Sequence, residues 1–249
     1  MAGREEESKD YAQPPNHMIP NEEGMTMEKK IDRREFLKVT AATGAILSMA
    51  PDLALAQEQK AIQLLKPQAG RGNPLMQLLW KRMSSREFSL ESLPVEVLSN
   101  LLWAAFGINR PDGKRTAPTA SNRQEIDIYA ALASGLYFYD AKASLLNPIL
   151  AEDIRATTGR QPYVKDVAVN LIFVADYAKM GTASSEDKTL LAAAAAGLIS
   201  ENVYLYCASE GLATVVRANI EKPALASVMK LRPDQKIMLA QSVGYPKKQ

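Results

Sequence analysis

The chain predicts an α+β fold, a mostly antiparallel sheet flanked by helices, and three observations predict it. Ile126-Asp127-Ile128-Tyr129-Ala130-Ala131 has the period of a strand, Ser134-Gly135 supplies a turn, and Leu136-Tyr137-Phe138-Tyr139-Asp140 returns as the second arm of a β-hairpin. Val167 to Ala175 is a continuous apolar run broken only by Asn170, suited to the centre of a sheet. Ser184-Ser185-Glu186-Asp187 then opens a long Ala-rich helix running to about Ser209, with a hydroxyl cap and acids in the first turn. Helices laid on such a sheet define the class.

The other elements follow in order. Gln57 to Asn73 reads as a polar linker punctuated by Gly70, Gly72 and Pro74. Leu75 to Arg82 is a helix with Leu75, Leu78 and Leu79 on one face. Pro94 to Phe106 is a second, with Pro94 in its first turn, Val95, Leu98, Leu101, Leu102 and Ala105 as its stripe, and Gly107 after it. A loop spans Ile108 to Arg123 and carries Pro111-Asp112-Gly113. Ala151 to Thr158 reads as a short helix. Ala213–Ala218, Ala224–Leu231 and Gln235–Gly244 read as strand, helix and strand. Within the long helix, the block Ala192 to Ala196 and Gly197 permits close helix approach, in the core or across a dimer axis. Glu201 and Asn202 argue against its crossing a membrane.

Composition narrows the chemistry. The chain has 249 residues, and the part from residue 57 onward suffices for one core-bearing domain. Its 30 Lys+Arg against 28 Asp+Glu give a net charge of +2, spread without a basic-aromatic block, which argues against nucleic-acid binding. The single histidine, His17, lies near the N-terminus, and the single cysteine, Cys207, sits in an apolar helical run. Ser-His-Asp and Cys-His catalysis, histidine metal sites and intramolecular disulfides are therefore excluded from the domain. An enzyme built this way takes its hard chemistry from a cofactor.

Asp32-Arg33-Arg34-Glu35-Phe36-Leu37-Lys38, the apolar run Val39–Ala50 and Ala54-Leu55-Ala56 have the order of a twin-arginine export leader: basic region, apolar region, A-x-A site. The expected leader is residues 27–56, with a mature start near Gln57. Export by the twin-arginine translocase places the folded protein in the periplasm or outside the cytoplasm, tethered there if the leader is uncleaved. The alternative is a membrane anchor, but the run is short of the roughly 20 apolar residues a spanning helix needs. Residues 1–26 are polar and charged; they read as a disordered extension, or as upstream of a true start at Met27.

Four stretches can carry a binding site. Arg82-Met83-Ser84-Ser85-Arg86-Glu87-Phe88 sets two cations four apart with hydroxyls between them, a phosphate grip or simply a solvated basic helix end. Arg115 to Gln124 ends in small hydroxyl and amide residues just before a strand, either donors for a flat heterocycle or an ordinary polar turn. Ser209-Glu210-Gly211-Leu212 closes the long helix, where Gly211 reads as a C-cap. Val243-Gly244-Tyr245-Pro246-Lys247-Lys248 has the alternative reading of a basic tail.

In this order the stretches resemble the flavin-dependent nitroreductase family. The resemblance rests on Arg82-x-Ser84-x-Arg86-x-Phe88, Leu101-Leu102-Trp103-Ala104-Ala105-Phe106-Gly107, the Pro118-Thr119 loop ahead of a strand, the Ala-rich helix ending in Gly211-Leu212, and Gly244-Tyr245-Pro246. It covers about residues 75–246, so 74–249 is read as the FMN-binding domain. The Trp103-Ala104-Ala105-x-Gly107 form followed by Gly135-Leu136-Tyr137-Phe138-Tyr139 is similar to the azoline-dehydrogenase branch.

The resemblance implies FMN at the interface of an intertwined homodimer. Arg82, Ser84 and Arg86 would hold the phosphate and ribityl chain, with Met83 standing where the family often has a second arginine. Thr119, Ala120, Ser121 and Asn122 would line the isoalloxazine, Asn122 and Gln124 bonding its polar edge. Glu210 and Gly211 would present backbone near the reactive nitrogen, and Lys247 or Lys248 would add a phosphate contact. Ala120-Ser121-Asn122-Arg123 replaces a Gly-rich segment frequent in the azoline branch.

The expected function is an FMN oxidoreductase that passes hydride to or from flavin N5 with a small-molecule substrate. NAD(P)H is absent outside the cytoplasm, so the expected electron partner is a quinone or another redox protein. Two other readings stand beside it: a non-catalytic flavin or small-ligand binding protein of the same fold, and a cofactor-free dimeric structural module.

Overall fold

A computed structural model describes residues 59–68 and 72–248, all within one unit, Ala56–Gln249. The export leader and the extension before it lie outside the described residues. The elements are β1 (Ile62–Gln63), α1 (Leu75–Lys81), α2 (Val95–Phe106), β2 (Ile126–Leu132), β3 (Gly135–Asp140), β4 (Leu145–Leu150), β5 (Val169–Asp176), α3 (Ser185–Glu210), β6 (Ala213–Arg217), α4 (Lys222–Val228) and β7 (Gln235–Gly244). They build a seven-stranded sheet in the order β1-β4-β3-β2-β5-β7-β6, with every pairing antiparallel.

Side-chain alternation assigns the two faces. Ile126, Ile128 and Ala130 of β2 point into a core shared with Leu101 and Leu102 of α2 and Ala192, Ala196, Ile199 and Val203 of α3. Tyr129 and Ala131 point the other way, to Ile172, Val174, Ile237 and Leu225 of α4. β5, between β2 and β7, is buried at all its positions, which is why its sequence shows no alternation. Its one polar residue, Asn170, accepts from Arg217 Nη2 at 2.8 Å and from Ser242 Oγ at 2.6 Å, and donates to the Val164 carbonyl at 2.7 Å.

α3 is the core helix. Ser184 accepts from the Asp187 amide at 3.0 Å, Glu186 and Asp187 sit in the first turn, and Gly211 closes the other end in the left-handed conformation at φ 69°. Its length and composition would let it cross a membrane, yet one face lies buried against the sheet, as in the core helix of a folded domain.

Three expectations need correction. The stretch read as a linker contains β1, whose Ile62 pairs with Leu146, and Leu64 beside it is buried. Ala151–Thr158 is not a helix: only Arg155–Thr157 makes a single 3₁₀ turn. Thr157 and Thr158 donate their hydroxyls back to the Ile154 and Arg155 carbonyls, competing with helix continuation. Finally, β4 is an additional strand. Its Asn147-Pro148 disfavours strand in sequence, but Pro148 lies beyond the residues that β1 covers, where a missing amide is tolerated.

Tyr139, on the α2/α3 side, is buried, and burial pushes its phenol from 10.0 up to about 12 against the opposing pull of Arg115. The neutral form is favoured in the fold, so this stability is whole below pH 10 and is lost as pH rises from 10 to about 12. Tyr139→Phe is expected to lose less melting temperature across that window than the parent; equal losses would exclude Tyr139 as the cause.

Candidate functional site

Arg82 ends α1 with an extended backbone, and residues 83–89 continue alongside β6 and the C-terminal residues. The Ser85 amide donates to the Thr214 carbonyl at 2.9 Å, Ser89 to Tyr245 at 2.9 Å, and Lys247 to Glu87 at 3.2 Å, while Phe88 bridges Pro246. Tyr204 of α3 organises the start of this segment. The Arg82 guanidinium lies 5.3 Å from its ring centre, and its hydroxyl is 2.8 Å from Ser84 Oγ. The same oxygen accepts from the Val216 amide of β6 at 3.0 Å, so Tyr204 can give its proton to Ser84 and hold that hydroxyl in place.

Arg86 and Lys247 meet in a groove of about 700 Å³ with Phe88, Tyr163, Asp166 and Lys248. Burial raises the Tyr163 phenol above its ordinary value, while the cations of Arg217 and Arg86 pull it back. Among the described residues Arg82, Arg86 and Lys247 make no ion pair. Met83 is 67% exposed.

The loop ahead of β2 forms a second group. Thr119 Oγ1 accepts from the Gln124 amide at 2.9 Å. The Gln124 side chain donates to the Gly113 carbonyl and Asn122 Oδ1, and accepts from Arg115 Nε at 2.8 Å. Arg115 lies 4.9 Å over the Phe106 ring at the end of α2. Ser121, Asn122 and Gln124 have φ of 53°, 52° and 49°, three positive-φ residues without glycine, interrupted only by Arg123. Ser121→Gly is expected to relieve about 0.5–1 kcal/mol and raise the melting temperature by a few degrees; a fall would mean the side chain makes a stabilising contact. Glu125, next in sequence, is fully buried with no partner on either carboxylate oxygen, and nothing among the described residues explains it.

Glu210 lies in a third place, a cavity of about 410 Å³ lined by Trp103, Tyr206, Glu96 and Asn100, with Gly211 as the helix cap beside it. One chain thus places Arg82, Ser84 and Arg86 on one segment, with Lys247 bonded alongside it. No hydrogen bond, ion pair or ring contact among the described residues joins them to Thr119, Ala120, Ser121, Asn122 or Gln124. Tyr204 and Tyr163 went unread in the sequence, because their places depend on the register of α3 on β6 and on a loop that packs over the sheet.

The nitroreductase family model matches residues 79–245. The chain belongs to the nitroreductase family. Members of this family are oxidoreductases. A nitroreductase-type crystal structure from Ralstonia eutropha JMP134 superposes on this nitroreductase-family chain with a TM-score of 0.74 and 40% identity, covering 80% of this chain and 94% of that one. A Methanocaldococcus jannaschii protein whose name proposes a nitroreductase is 25% identical over 168 residues, 64% of this chain and 85% of its own. The Escherichia coli microcin synthetase McbBCD complex (TM-score 0.58, 16% identity) covers 86% of this chain and 92% of its own, and shares the fold. So does the NADPH:FMN oxidoreductase of Vibrio harveyi complexed with NAD+ (TM-score 0.54, 18% identity, 71% of this chain and 70% of its own).

Proposed function

We propose that this nitroreductase-family chain is an FMN-dependent oxidoreductase acting on a small-molecule substrate, exported in folded form by the twin-arginine translocase. The observation that carries the cofactor is the set of cations Arg82 and Arg86 on one segment and Lys247 alongside it, without ion pairs among the described residues, with Ser84 fixed by Tyr204. Planar guanidiniums and a positioned hydroxyl suit a phosphate dianion. The bound flavin would supply hydride acceptance and donation at N5. Arg82 and Arg86 neutralise the phosphate, Ser84 donates to it, and Tyr204 keeps Ser84 aimed. Thr119, Ala120, Ser121 and Asn122 would face the ring, and the positive φ of Ser121 and Asn122 is the kind of strain that functional loops retain. Glu210 and Gly211 would lie near the reacting nitrogen. Protons in this histidine-free domain would move through Tyr or Lys side chains or solvent.

A homodimer fits the separation of the cation segment from the 119–124 loop, since a second copy can bring the two together. It fits the surface too. α1 exposes Leu75, Met76, Leu79 and Trp80, the last at 88%, and α3 exposes Leu190, Ala193, Ala194, Gly197 and Leu198. Periplasmic location and a quinone or redox-protein electron partner rest on Arg33-Arg34 and the apolar run after them. The azoline-dehydrogenase branch rests on the motifs from Trp103 to Tyr139 and on the fold shared with the microcin synthetase.

Purification of the full chain tests the reading. Yellow protein, bleached by dithionite and restored by air, that turns over a reduced quinone or a donor substrate supports it. Flavin binding without turnover in a broad donor and acceptor screen would make it a binding protein, and a colourless chain that takes up no FMN would exclude the cofactor.

A further inference from the structure

We propose that the groove between the first turns of α3 and helix α4 is a strand-addition site for an acidic, extended segment of a partner protein. β7 outruns its neighbour: its pairing with β6 ends at Arg217↔Ala240, and the Gln235 amide is taken by the Arg232 carbonyl, so Lys236–Leu239 is the stretch paired with β5 alone and open on its other side. A cavity of about 820 Å³ lies on this stretch. Ser185 and Thr189 of α3 form one wall, Lys222 and Ala226 of α4 with Lys230 in the turn after it the other, and Ile237 and Met238 lie at the base. The two helices cover opposite faces of the sheet, so the slot opens at the sheet edge.

The charge of the slot selects its occupant. Lys222, Lys230, Arg232 and Lys236 line it, and among the described residues no carboxylate does. Among the acids next to its lining residues, Asp187 accepts from Ser184. Glu186 makes no ion pair among the described residues and does not line the slot, and the other three are engaged. Asp176 and Asp234 hold Arg232 at 2.9 and 3.2 Å, and Glu221 pairs with Arg160. Among the described residues Lys222, Lys230 and Lys236 have no ion pair. Lysines on an open edge repel a second copy of the same edge, and the register shift beside Phe173 adds a bulge, so β7 is guarded against self-pairing. The same lysines attract an acidic strand. An extended segment gains main-chain hydrogen bonds from Lys236–Leu239, and alternate side chains fall toward opposite walls. Alternating acidic and apolar residues would set carboxylates beside Lys222 and Lys230 and apolar groups over Met238. The slot shares no residue with the flavin site, so the proposal stands apart from the cofactor reading.

The probe is a short labelled peptide of alternating Glu and Val, added to the full chain loaded with FMN and followed by fluorescence anisotropy. Saturable binding is expected, weakened about tenfold or more in the combined K222E, K230E and K236E variant, whose three positions are exposed. Methylation of the peptide's backbone nitrogens should abolish binding, because it removes the strand donors. Equal binding by the methylated peptide would overturn strand addition, and equal binding by the triple variant would overturn charge selection. Amide protection of Lys236–Leu239 that rises with protein concentration without peptide would also overturn it, by showing a second copy in the slot.

Discussion

Arg82→Ala is expected to leave the purified chain with FMN bound about ten- to a hundredfold more weakly. A hydrogen bond to a charged group contributes about 1.5–3 kcal/mol, and each 1.4 kcal/mol is tenfold in Kd. Arg82 is at once the cation stacked on Tyr204 and the opening residue of the segment that carries Ser84 and Arg86. Fluorescence titration of the stripped protein measures the loss directly. Arg82→Lys should recover only part of it, because an ammonium lacks the planar fork that meets two phosphate oxygens. Ser84→Ala should cost less, about 0.5–1.5 kcal/mol for one neutral donor. Unchanged FMN affinity in Arg82→Ala would sink the phosphate assignment.

Arg217→Met carries the largest expected stability effect, about 2–4 kcal/mol and on the order of 10 °C in melting temperature. Arg217 is only 4% exposed, yet among the described residues it pairs with no carboxylate. It donates to Ser242 Oγ at 3.2 Å, the Thr158 carbonyl at 2.8 Å and Asn170 Oδ1 at 2.8 Å. Burial pulls its pKa down to about 10. Two costs compete. Methionine removes the penalty of a buried charge, but it leaves the Thr158 carbonyl without its donor and unpins the 155–165 loop from the sheet. The orphaned carbonyl and released loop should dominate, since they lose three bonds at once. Adding Asn170→Leu should deepen the loss, because it also strips the Val164 carbonyl and the Ser242 hydroxyl of their partner. A higher melting temperature in the single variant would mean that the desolvation cost was the larger.

The parts of the fold legible in the sequence are those written in local period. The β2–β3 hairpin, β5 and α3 each state their conformation within a single stretch, and α3 carries both caps in sequence. β4 was hidden because Asn147-Pro148 argues against a strand until its edge position is known, and β1 is too short to have a period. At the site, Arg82, Ser84 and Arg86 were legible as residue types matched to a phosphate. Tyr204 was not, since a tyrosine at helical spacing reads as core until α3 is placed on β6. Asn170 looked like an interruption, and its reason appears only when Arg217 arrives from β6.

The zipper between residues 85–89 and 245–247 has a consequence for synthesis. Arg86 and Lys247 share a groove, but α2, α3 and the strands from β2 to β7 lie between them in the chain. On a ribosome the early arginine waits, exposed, until the last strand has emerged and closed beside it. Any ligand that needs both cations is therefore captured only after translation is finished, which makes its retention a record that the domain was completed.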